Sequence, residues 1–91
     1  MSLYVGVNAE FPSIDRDQKD KIFVRLQEKK WVIIKNFGRE FSSLWFARFK
    51  DDVDFDAAIE LTEKEFKSCS DPYTVPKLII HAGHTKPKII A

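Results

Sequence analysis

Cysteine is almost absent from this chain. Cys69 is the only one in 91 residues, so no disulfide forms within it, and a reducing cytoplasm is the expected setting. Glycine is nearly as scarce, with Gly6, Gly38 and Gly83 the whole complement. The phosphate-cradling patterns G-x-x-x-x-G-K-[ST] and G-x-G-x-x-G are therefore missing, as are the nucleophile turn G-x-S-x-G and any pair of C-x-x-C motifs. No stretch approaches the roughly 20 apolar residues that cross a bilayer, and no charged segment followed by an apolar run opens the chain, so neither a membrane span nor a leader is expected. Nothing in this pattern calls for a cofactor.

What the chain does contain is core material. Apolar residues make up 44% and charged residues 32%, a globular balance with too many aromatic and β-branched side chains for disorder. The length supports one core, and residues 1–91 are expected to form a single α+β domain in which 83–91 are a flexible tail. Charge is segregated along the chain. Residues 13–41 hold eight Lys or Arg against five Asp or Glu, giving +3, and residues 48–68 hold four against seven, giving −3. Opposed fields of this kind steer partners and say little about fold.

Periodicity orders the elements. Leu3, Val5, Val7, Ala9 and Phe11 alternate with Tyr4, Gly6, Asn8 and Glu10, which predicts a strand with one apolar face that Pro12 ends. Ser13 or Asp15 caps a following helix whose Ile22, Phe23 and Leu26 share one side. The runs WVIIKNF and SLWFARF read as a hairpin turned near Gly38. Acidic residues Asp51, Asp52 and Asp54 crowd the start of a second helix carrying Phe55, Ala58, Ile59, Thr62, Phe66 and Cys69 at helical spacing. After Asp71-Pro72, TVPKLIIHA gives a last strand, with Pro76 at its start or edge because proline has no ladder donor. The order βαββαβ with right-handed crossovers predicts a ferredoxin-like fold: a four-stranded antiparallel sheet, order 4-1-3-2, with both helices on one face.

Such a sheet has a second face, and the strands look apolar on both sides. Trp31 and Ile33 oppose Val32 and Ile34, Trp45, Ala47 and Phe49 oppose Leu44 and Phe46, and Leu78 and Ile80 oppose Ile79. A bare face of that character exceeds what a monomer tolerates, so a cover is expected, with a second copy of the chain first in line. Trp31, Trp45, Phe46 and Phe49 are the predicted interface residues, because large rings carry much of an association energy when centrally buried.

Candidates for chemistry are few. His81 and His84 in HAGH supply two imidazoles, too few for a metal, and Cys69 has the spacing of a packed thiol. The Asp51–Asp56 cluster lacks the calcium-loop pattern and reads as helix capping. The element order and size resemble the small dimeric endoribonuclease and antitoxin domains of the Cas2 group, which carry an acidic residue near the end of the first strand, where Glu10 stands here. The resemblance implies nucleic-acid binding or endoribonuclease activity.

The leading expectation is a non-enzymatic binding or regulatory module, homodimeric through the apolar sheet and recognising a protein partner, with no catalytic residue and no metal. The first alternative is an RNA- or DNA-binding protein, with Lys29, Lys30, Lys35, Arg39 and Arg48 as the phosphate contacts. The second is a small-molecule sensor using the sheet face, with Tyr4, Asn36 or His81 as its polar anchor.

Overall fold

The computed structural model describes residues 3–36, 42–50 and 52–84. Six elements follow one another as β1 (Leu3–Glu10), α1 (Arg16–Glu28), β2 (Val32–Asn36), β3 (Ser43–Phe49), α2 (Phe55–Ser70) and β4 (Lys77–Gly83). The strands form one sheet in the order β2-β3-β1-β4, every neighbouring pair antiparallel. This is the ferredoxin-like arrangement. The predicted turn at Gly38, the contact residue Arg39, the helix-start residue Asp51 and all of the tail from residue 85 onward lie outside the described residues.

Local chemistry sets the helix ends. Asp15, not Ser13, caps α1: its carboxylate accepts from the Gln18 amide at 2.8 Å while the Gln18 side chain accepts from the Asp15 amide at 3.2 Å. Two of the otherwise unpaired first-turn donors are satisfied reciprocally. Asp54 caps α2 with a single bond, accepting from the Ala57 amide at 2.7 Å. At the far end of α2, Arg25 reaches over from α1 and donates from Nη1 to the carbonyls of Cys69 and Asp71 at 3.1 and 2.9 Å. A cation there satisfies terminal carbonyls and opposes the helix dipole.

The helices cover one face of the sheet, and the alternation in β1 decides which. Leu3, Val5, Val7, Ala9 and Phe11 are all buried beneath α1 and α2 with Ile22, Phe23, Leu26, Ala58 and Phe66. A run of edge-to-face rings crosses this layer: Phe11 against Phe23, Phe23 against Trp45, Trp45 against Phe66, Phe66 against Trp31, and Trp31 against Phe49, with centroids 4.9 to 6.2 Å apart. Rings at these distances and near-perpendicular angles add to their area burial through edge-to-face attraction. Both indole donors are used, Trp45 Nε1 to Ser43 Oγ at 2.7 Å and Trp31 Nε1 to Glu65 Oε2 at 2.8 Å. Trp31, Trp45 and Phe49 are thus taken up by the chain's own core.

One helix position departs from the predicted spacing. Phe55 is 43% exposed at the start of α2, its ring 5.2 Å from the imidazole of His84. The first turn of a helix overhangs the layer it packs on, and here the buried stripe starts one turn later, at Ala58.

Candidate functional site

The open face of the sheet is built from the residues that alternate with the core set. Tyr4, Gly6, Asn8 and Glu10 come from β1, Leu44, Phe46 and Arg48 from β3, Val32 and Lys35 from β2, and Lys77, Ile79 and His81 from β4. Strand register arranges them in rows across the sheet. One row runs Val32, Phe46, Gly6, His81; its neighbours run Lys35, Leu44, Asn8, Ile79 on one side and Arg48, Tyr4, Gly83 on the other. A register shift between Ile33 and Lys35 in β2 turns Lys35, two places on from Ile33, onto this open face.

This face is mixed, where the sequence pattern suggested an apolar one. Val32 and Ile79 are 48% and 58% exposed, and Leu44 and Phe46 are half-buried between them. Around and among them stand Asn8, Lys35, Arg48, Lys77 and His81, all exposed. Glu10 is the one acidic side chain among the described residues of this face, and its register partner on β4 is Lys77.

The four residues predicted to form an interface are divided by the sheet. Trp31 and Trp45 are 2% and 0% exposed beneath the helices, and Phe49 packs partly buried against the same core. Phe46 alone of the four is on the open face. Among the predicted phosphate contacts, Lys35 and Arg48 occupy this face, whereas Lys29 and Lys30 are exposed at the connection from α1 to β2. Of the three polar anchors, Tyr4 and His81 lie on the face, and Asn36 pairs in register with buried Ser43. The geometry adds Gly6 and Lys77, which sequence reading passed over; the period of two in β1 and β4 places both opposite the core set once that set is known.

A depression between α2 and β4 is lined by Glu63, Lys67, Val75, Pro76, Leu78 and Ile80, and Lys67 donates to Glu63 there at 2.7 Å, holding that carboxyl below its usual range. Cys69 is buried, and burial pushes its thiol up from the ordinary value. Among the described residues no three His, Cys, Asp or Glu side chains converge as a metal site, and no helix is long and apolar enough to cross a membrane. No protein-family model, no characterised protein and no solved structure matches the chain.

Proposed function

We propose that the chain is a small non-enzymatic binding module whose recognition surface is the open face of its sheet. The observation that carries this reading is the partition of the sheet. Every core-facing position of β1 is filled under the helices, and Phe46, Val32 and Ile79 remain outside among cationic side chains. Exposed apolar side chains set beside charged ones are the material of recognition surfaces. No residue is assigned a catalytic role.

A protein as occupant, with a second copy of the chain first, is the second reading, and exposed Val32 and Ile79 at the two flanks of the face favour it. The experiment is absolute mass by light scattering on a sizing column, for the parent and for Phe46→Lys, after nuclease treatment. A dimer that Phe46→Lys converts to a folded monomer assigns the face to self-association. A monomer in both cases leaves the face for another partner. A dimer that Phe46→Lys leaves intact places self-association on a different surface and removes homodimerisation from this reading.

A further inference from the structure

We infer that the partner of the open face is single-stranded nucleic acid, one base of which lies over Gly6 between Phe46 and His81. This deepens the binding-module reading and rests on it.

The middle of the sheet lacks a side chain on its open face. Gly6 is on central strand β1, with Phe46 its register partner on one side and His81 on the other. Two strand spacings separate the flanking backbones by about 9.5 Å, room for one planar ring between two side chains that stand up from the sheet. A Cβ built on Gly6 meets nothing closer than the Trp45 carbonyl oxygen at 4.0 Å, so among the described residues no atom crowds the first side-chain position above this strand.

The surroundings define what would fill the gap. Along β1, Tyr4 and Asn8 stand two residues to either side, a second ring and an amide able both to donate and to accept at a base edge. The charge of the face is cationic, with Lys35, Arg48 and Lys77 against the single carboxylate of Glu10 among the described residues. A flat π-faced ligand strung on a polyanion matches rings spaced along a sheet with cations beside them. Single-stranded chains bind in this way because their unstacked bases are free to lie on protein rings. A duplex would present phosphates to Arg48 and Lys77 and leave the gap above Gly6 empty.

The test uses fluorescence anisotropy with labelled single-stranded RNA and DNA of about 12 nucleotides, a length within the usual site sizes, and a duplex of the same sequence. The parent is expected to bind a single strand at low salt more tightly than the duplex. Gly6→Val is expected to weaken binding by roughly tenfold or more with its melting temperature kept, since a β-branched residue suits a strand and finds the space unoccupied. Phe46→Ala should weaken it by a similar factor through loss of stacking. Arg48→Ala and Lys77→Ala should each lower the slope of log K against log salt by about 0.7.

No binding of either single strand at low salt overturns the inference, as does a Gly6→Val protein that binds as the parent does. If the parent binds no nucleic acid but is a dimer that Gly6→Val dissociates, the nucleic-acid inference fails while the open face remains the recognition surface. If Gly6→Val and Phe46→Lys change neither mass nor binding, the binding-module reading of that face fails as well.

Discussion

Trp31 and Glu65 are joined by a hydrogen bond of 2.8 Å from the indole Nε1–H to Oε2, which ties the residue preceding β2 to the middle of α2. The indole is almost wholly buried, and its ring stacks edge-to-face on Phe66 with centroids 4.9 Å apart. Removing the acceptor leaves a buried donor unsatisfied, and that penalty exceeds the net worth of the bond itself. Glu65→Ala is expected to cost about 1–3 kcal/mol in urea unfolding. In a Trp31→Phe background, which has no indole N–H, the same change should cost much less, and costs that simply add would show that the bond contributes nothing.

Adjacent residues on β3 should behave oppositely. Trp45 is fully buried and touches Phe23 and Phe66 from both helices; Phe46 faces the other way. Trp45→Ala is expected to destabilise by about 3–5 kcal/mol through lost burial and the cavity left behind, a large share of the 5–15 kcal/mol usual for a domain. Phe46→Ala should change stability by about 1 kcal/mol or less while affecting partner binding. Circular dichroism melts of the two variants, run side by side, check the assignment of faces.

That pair of residues also marks where the sequence was legible and where it was not. The alternation of Leu3 to Phe11 and the helical spacing of Ile22, Phe23 and Leu26 each bury one side of an element, so the topology and most of the core follow from periodicity alone. The two tryptophans resisted because β2 and β3 carry large apolar residues on both faces, and periodicity then fixes which residues share a face without saying which face the helices cover. Only the contacts of Trp45 with Phe23 and Phe66 settle it. Gly6 was unreadable for a related reason. A glycine in a strand signals a bulge, a close approach or an empty place, and the register with Phe46 and His81 is needed to tell them apart.

Lys30 occupies a position that favours glycine. α1 ends with the Lys30 amide donating to the Gln27 carbonyl at 3.0 Å and the Trp31 amide to the Leu26 carbonyl at 3.1 Å, the paired bonds of a Schellman cap. This geometry requires a left-handed residue, and Lys30 has φ 73°. Its Cβ opposes that conformation, while Leu26 and Trp31, both buried, supply the apolar contact that enforces it. Lys30→Gly is therefore expected to stabilise the fold by about 0.5–1 kcal/mol, raising the melting temperature by a few degrees. Lys30→Ala should bring no such gain. A Lys30→Gly protein that melts below the parent would show that the strain is absent.

Cys69 links stability to alkaline pH. Burial is the largest influence on its thiol and raises its pKa, with Lys29 acting in the opposite direction. The unfolded chain therefore gives up this proton at lower pH than the folded one, near the ordinary thiol value of about 8.5. Below that value both states hold the proton and the stability is complete. As pH rises past it, the unfolded state binds fewer protons than the folded state, so stability falls by at most about 1.4 kcal/mol per pH unit until the folded thiol also ionises. Urea midpoints measured from about pH 7.5 to about 9.5 should decline for the parent and decline less for Cys69→Ala, whose own cost is uniform across the range. Equal slopes would mean that the thiol titrates alike in both states. The same burial should keep Cys69 slow toward thiol reagents until urea opens the packing between α1 and α2, because the reactive species is the thiolate.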